Sequence, residues 1–298
     1  MMKRQIFGDV SVEKVIDMID PFDAKRAYPN ENLSVAENYR EWLEPHFFDF
    51  DLQAIILSFH SYIIRTPYHT ILVDTCIGNH KTFGGILDKW NNRNGPFLDN
   101  LKKANITPEE VDYVMCTHLH ADHVGWNTQL KDGRWVPTFP HAKYIFSKND
   151  LDASQERAKS TNVNYIAPSY QESVLPIIES GQVTIVDTDF ALDDALTILP
   201  THGHTPGHYC IEINAGGRKG IFTGDCLHNA IGIAHPEWTT TFCEDKAKAN
   251  ATRAALIDNL TDRDITLLPA HFAGPTAGRI ASIKGSNRRK FLVAPEAL

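Results

Sequence analysis

Hydrophobic and polar positions along the chain fall mostly into short apolar runs broken by turn residues, with a few stretches of helical spacing between them. "AIILSFHSYIIRTPYHTILVDT" (54–75) predicts two strands around a Thr-Pro-Tyr-His turn, rich in Ile, Leu and Val. In "GPFLDNLKKANITPEEV" (95–111), Phe97, Leu98, Leu101 and Ala104 have helical spacing, and Thr-Pro-Glu-Glu then reads as a helix start. "DYVMCT" (112–117) and "AKYIFS" (142–147) read as buried strands, and "NDLDASQERAKS" (149–160) and "SYQESVLPIIESG" (169–181) as helices. Further strands are predicted at 183–187, 196–201, 208–215, 219–225 and 265–271, with a helix over 243–261 before the last of them. Strand-rich halves, each followed by helices, suggest two packed sheets with helices outside.

One regularity links this pattern to chemistry. Several apolar strands end abruptly in a metal-competent residue: Asp74, His118, His204, Asp225 and His271. Side chains at strand ends, on loops braced by a rigid sheet, are a common way to pre-organise a site.

Composition narrows the field without deciding it. The chain has 298 residues, 42% hydrophobic and 22% charged, with 29 Lys and Arg against 37 Asp and Glu for a formal charge of -8. That balance gives no electrostatic reason to expect nucleic acid or an anionic membrane as a partner. "SNRRK" (286–290) is the densest basic run and reads as a solvated turn. No apolar stretch of signal-peptide or membrane-span length follows the N-terminus, so a cytoplasmic protein is expected. Cys76, Cys116, Cys210, Cys226 and Cys243 are odd in number and scattered without a CxxC, as expected of buried thiols rather than a disulfide framework.

The densest chemistry lies in "CTHLHADHVGW" (116–126), where His118, His120, Asp122 and His123 occupy six positions. In an extended loop His118 and His120 point to one side, and Asp122 and His123 follow where the loop turns into a helix. Uncompensated imidazoles packed so closely would repel when charged and need partners when neutral. Two ligand pairs could serve two adjacent ions, completed by His204, Asp225 and His271. Imidazole nitrogen with carboxylate oxygen suits zinc best, with manganese, iron or cobalt as alternatives. Isolated residues such as His69 and His80 read as surface or capped histidines.

"THLHADHVGW", "THGHTPGH", "FTGD", "LPAH" and the early "ILVDTCIGN" together resemble the ordered motifs of the metallo-β-lactamase-fold superfamily, over roughly residues 50 to 275. The resemblance implies an α/β (α+β) four-layer αβ/βα sandwich of two mixed β-sheets flanked by helices, as one domain over 1–298 with an N-terminal cap segment at about 28–50. Carried over by position, it implies two divalent ions: one held by His118, His120 and His204, the other by Asp122, His123 and His271, with Asp225 bridging. A hydroxide shared by the ions would be the nucleophile, and Asp122 could shuttle a proton to the leaving group. Asp74 would orient a ligand rather than bind metal, and His202 and His208 would brace their loop.

The nearest likeness is to the lactonase and small-ester branch, including acyl-homoserine lactonases and organophosphate hydrolases. Those lactonases place a Tyr three residues after the bridging Asp, where this chain has His228. A histidine there could donate a hydrogen bond or a proton to the substrate, or simply line the pocket. The expected activity is opening of a small or medium apolar ester or lactone. The alternatives are a glyoxalase II-like thioesterase, for which Arg279, Lys284 and Arg288 could serve, a phosphotriesterase, or an iron-loaded redox member. Aromatics in loop-like stretches, namely Trp42, Phe47, Phe48, Trp126, Trp135, Phe139 and Trp238, suit an apolar pocket wall or a homodimer contact. For each one singly, core packing is the simpler reading.

Overall fold

A computed structural model of the chain describes residues 2–159 and 166–294. The chain forms two compact units from interleaved segments, one comprising Met1–Gly8, Ile19–Ser58 and Asp189–Leu298, the other Asp9–Met18 and Phe59–Thr188. The fold is mixed α/β, with two mixed sheets flanked by helices.

In the second unit the strands neighbour one another in the order Val10–Asp23, Ala54–Arg65, Thr70–Val73, Tyr113–Met115, Lys143–Ser147 and Val183–Val186. The first two continue into the other unit along the chain. Thr70–Val73, Tyr113–Met115, Lys143–Ser147 and Val183–Val186 run parallel, with Val73, Met115 and Ile145 in register. Their near-continuous apolar runs are what parallel strands covered on both faces require. Parallel order sends every C-terminal end to one edge, so Asp74, the His118–His123 loop and the helix Lys148–Lys159 all begin there. The unit's core includes Phe97, Leu101, Trp126, Phe139, Tyr144 and Phe146, so Trp126 and Phe139 pack in it, Trp126 also bordering a small cavity with Asn79 and Leu98. "TQLKDGRWVP" is a hairpin, with Thr128–Lys131 against Arg134–Pro137, where a covering loop was expected.

The other unit carries a seven-stranded sheet in the order Ala191–Leu192, Leu196–Pro200, Tyr209–Ala215, Arg218–Phe222, Ile265–Leu268, Gly278–Ser282 and Arg289–Val293. Leu196–Pro200 and Arg218–Phe222 are both antiparallel to Tyr209–Ala215, and Ile265–Leu268 is parallel to Arg218–Phe222. These three strands therefore point the same way, and the loops holding His204, Asp225 and His271 leave from one edge. The helix Lys246–Leu260 is capped by the Asp245 carboxylate accepting the Lys248 N–H, and buries Ala249, Arg253, Leu256, Ile257 and Leu260 at helical spacing.

Most predicted elements are present, with shifted ends. The helix read over 149–160 is Lys148–Lys159, and Ser160 lies outside the described residues. Thr-Pro-Glu-Glu forms a capping box but only a short 3₁₀ turn, Pro108–Glu110. "SNRRK" is only partly a turn: Arg289 opens the last strand and pairs with Asp258, while Arg288 pairs with Glu237.

Candidate metal centre

In the second unit the histidine loop is held from below by buried carboxylates. Asp74 follows its strand directly and accepts the Thr117 N–H at 2.8 Å and the Thr117 hydroxyl at 2.9 Å. Its Oδ2 lies 2.9 Å from His123 Nδ1. A carboxylate on Nδ1 fixes that nitrogen as the protonated one and leaves Nε2 as the lone-pair donor. Asp74 is thus an orienting residue, as expected from the sequence. Thr117 Oγ1 stands 3.1 Å from His118 Nδ1, and Asp150 accepts the Leu119 N–H at 2.6 Å, pinning the backbone between His118 and His120. His118 and His123 are buried, whereas His120 and Asp122 are half-buried. The rings of His118 and His120 are 4.6 Å apart, those of His118 and His123 4.0 Å, and His123 Nε2 lies 3.6 Å from Asp122 Oδ2. All four predicted residues of this loop are therefore gathered together.

Gly125, just after the loop, is demanded by space rather than by backbone angle. A Cβ there would stand 1.9 Å from the Ile77 carbonyl oxygen and 2.5 Å from the Gly78 nitrogen. The close approach lets Gly125 donate to Cys76 O and Trp126 to Thr75 O, while Thr75 donates to His123 O. The loop's far end is thereby stitched to the turn after Asp74.

In the other unit, three imidazoles surround one carboxylate. Asp225 Oδ2 is 3.3 Å from both His204 Nε2 and His228 Nε2, and Oδ1 is 3.0 Å from His271 Nε2. The far nitrogens of two of these rings are anchored differently: His271 Nδ1 faces Ser58 O at 3.3 Å, and His204 Nδ1 faces Cys243 Sγ at 3.6 Å. Ser58 also donates its N–H to His271 O at 3.0 Å, closing a two-way clamp. His208 is a brace, as expected: its Nε2 accepts the Asp225 N–H at 2.9 Å, so its proton sits on Nδ1 toward Thr201 Oγ1 at 2.8 Å. His202 contributes a carbonyl to the Thr252 hydroxyl at 2.8 Å.

His228 is buried, its ring tilted against Phe242 and parallel to His271, and it touches the Asp225 carboxylate. Burial lowers its pKa against the pull of Asp225, which favours the neutral imidazole. Its segment is fixed by Arg253, buried on the long helix, which donates to Cys226 O at 3.0 Å and Trp238 O at 2.6 Å.

The donor set fits divalent cations. Two donors on a tetrahedral zinc at ~2.0–2.1 Å lie about 3.3 Å apart, close to the nitrogen–oxygen spacings around Asp225. The rings of His123, His204 and His271 turn Nε2 toward a neighbouring carboxylate and have Nδ1 anchored, as metal-binding histidines do. Sequence reasoning missed Asp150, Ser58, Cys243 and Arg253. Only Asp150 carried a signal, an acidic residue in a first helical turn, which ordinary helix-dipole preference explains equally well.

The model of the metallo-beta-lactamase superfamily matches residues 59–271. The chain belongs to the metallo-β-lactamase superfamily. An N-acyl homoserine lactonase of Bacillus sp. is 27% identical over 163 residues, 51% of this chain and 56% of that protein. A probable metallo-hydrolase of Bacillus subtilis (strain 168), YflN, is 28% identical over 121 residues, 40% of this chain and 45% of the relative. The chain thus spans about half the length of the curated relatives it matches. Among solved structures, hydrolase AbOPH of the beta lactamase superfamily has a TM-score of 0.79 at 21% identity, covering 98% of this chain and 97% of its own. AidC, a dizinc quorum-quenching lactonase in complex with a product N-hexanoyl-L-homoserine, has the same TM-score at 19% identity and the same two coverages. These likenesses show the metallo-β-lactamase fold. Among the described residues no helix is long and apolar enough to cross a membrane.

Proposed function

We propose that the chain is a dinuclear metal-dependent hydrolase that opens small or medium apolar esters or lactones. The observation that carries this reading is Asp225, a carboxylate with an imidazole Nε2 within 3.3 Å of each of its oxygens, the arrangement a bridging ligand needs. His118, His120 and His204 would hold one ion and Asp122, His123 and His271 the other, with Asp225 shared; zinc suits this donor set best. When bound, the ions would supply Lewis acidity and make hydroxide available near neutral pH. The residues of the chain do the rest. Asp74 and the Ser58 carbonyl keep the protons of His123 and His271 on Nδ1. Asp122, half-buried, can hand a proton to the departing oxygen. Neutral His228 has an N–H to offer a substrate carbonyl or leaving group. The lactonase name of the relatives supports a lactone or ester among the substrates such sites serve.

Elemental analysis combined with a panel of lactones, aryl esters, thioesters, phosphotriesters and a β-lactam tests the reading. Two zinc per chain and turnover of esters or lactones are expected. Iron with redox-active spectra, or turnover confined to thioesters or phosphotriesters, would replace it. Two of the three cations a thioester reading would use, Arg279 and Arg288, are engaged with Asp264 and Glu237 respectively.

A further inference from the structure

His204 has two donor faces. Its Nε2 looks toward Asp225, while its Nδ1 looks toward Cys243 Sγ at 3.6 Å, on the segment leading into the Lys246–Leu260 helix. Cys243 is buried, with Thr240 Oγ1 3.4 Å from its sulfur. His204, His228 and Cys243 each present a ligand atom, and the three atoms lie within 4.8 Å of one another. All three side chains belong to one unit, and among the described residues no other cysteine falls in such a group.

We propose that Cys243, His204 and His228 form a second, thiolate-bearing cation site for a thiophilic divalent ion, in competition with the Asp225-centred arrangement for His204. A sulfur at about 2.3 Å and a nitrogen at about 2.0 Å from one tetrahedral ion lie roughly 3.6 Å apart, which is the Sγ–Nδ1 separation seen here. The donor types differ from those of the main site: one thiolate and two imidazoles rather than imidazole and carboxylate. Softness therefore sorts ions between the two, with cadmium drawn to Cys243 and manganese left to the oxygen-bearing set. Binding replaces the thiol proton, so one proton passes to solvent for each ion held by the sulfur. Only the competition rests on the functional reading above; the binding stands without it.

The test is titration of the metal-free full-length protein with cadmium chloride, followed through thiolate-to-cadmium charge-transfer absorption. Wild type is expected to develop a band saturating at one thiolate per chain. Cys243→Ser should lack the band, and His228→Ala should retain it with cadmium affinity weaker by roughly tenfold. No band in wild type, or an equal band in Cys243→Ser, overturns the proposal. Should the serine variant misfold, the cadmium-113 resonance of wild type decides: a shift typical of one sulfur ligand supports the site, and one typical of nitrogen and oxygen alone overturns it. A band lost in Cys243→Ser from a protein that hydrolyses nothing would keep this site and discard the hydrolase reading.

Discussion

Three imidazoles of the candidate centre rest on three different kinds of anchor, and the anchors differ in strength. His123 leans on a carboxylate, His271 on a backbone carbonyl, and His204 on a thiol. Charge-assisted hydrogen bonds are the strongest of these, so Asp74 is the anchor whose loss should be felt most. Asp74→Ala is expected to weaken metal binding roughly 10- to 100-fold, measured by competition with a chromophoric chelator. Asp225→Ala should abolish turnover together with binding of at least one metal equivalent; full activity in a variant holding fewer than two metals would sink the dinuclear mechanism. His228→Ala should leave the metal content of the Asp225-centred arrangement intact and lower turnover by roughly a hundredfold. An unchanged rate on the true substrate would make His228 a wall residue. At this scale the sequence was most informative where residues cluster. Six positions announce His118 to His123, whereas Cys243 and Ser58 gain meaning only through partners 39 and 213 residues away.

Elements explain why the clusters form where they do. Strand direction alone brings the His204, Asp225 and His271 loops to one sheet edge, and equivalent order brings Asp74 and His118 to another. The helical signal at Phe97 and Leu101 and the paired strands at 54–75 were legible because apolar residues dominate them, although Ser58, His60 and Ser61 are buried in the first strand as well. Val10–Asp23 was not, although it is a 14-residue strand. Its buried series Val10, Val12, Val15 and Asp17 changes phase across the half-buried pair Glu13 and Lys14 and ends on a carboxylate paired with Arg93 at 2.9 Å, so the strict alternation a sequence reader follows is lost. Tertiary partners supplied what the local pattern lacked. The turn after the histidine loop offers a sharper test of element-level packing. Gly125→Ala, whose Cβ would overlap Ile77 O, should destabilise the fold by about 3 kcal/mol or more, seen as a lowered denaturation midpoint with unchanged m-value. Gly133, with open space around its missing Cβ but φ of +75°, should tolerate alanine better, at a cost confined to backbone strain.

Stability of the molecule as a whole should carry the mark of one buried amine. Lys81 is fully enclosed, its Nζ 2.6 Å from Thr128 Oγ1 and 3.0 Å from Glu172 O, and over the Trp135 ring. Burial pulls its pKa from 10.5 down to about 7, with Glu172 opposing in part. Between about pH 7 and 10.5 the unfolded chain therefore holds a proton that the folded chain has released, and stability rises with pH across that window. Below it both states are charged and the full cost of burying the ammonium is felt. Lys81→Met should remove a slope approaching 1.4 kcal/mol per pH unit, measured by denaturant unfolding of wild type and variant at several pH values.

The interleaving of the units has a consequence for how the protein can be dissected or inherited. Boundaries at 18/19 and 58/59 fall inside the strands Val10–Asp23 and Ala54–Arg65 rather than in linkers. No single cut of the chain releases either unit whole, because one is built from three segments and the other from two. A gene fragment carrying the histidine loop, residues 59–188, would begin inside the strand Ala54–Arg65, and one carrying Asp225, residues 189–298, would lack the two earlier segments of its own unit. The two donor sets are thus bound into one heritable object, which recombination can duplicate or discard but has no simple way to divide.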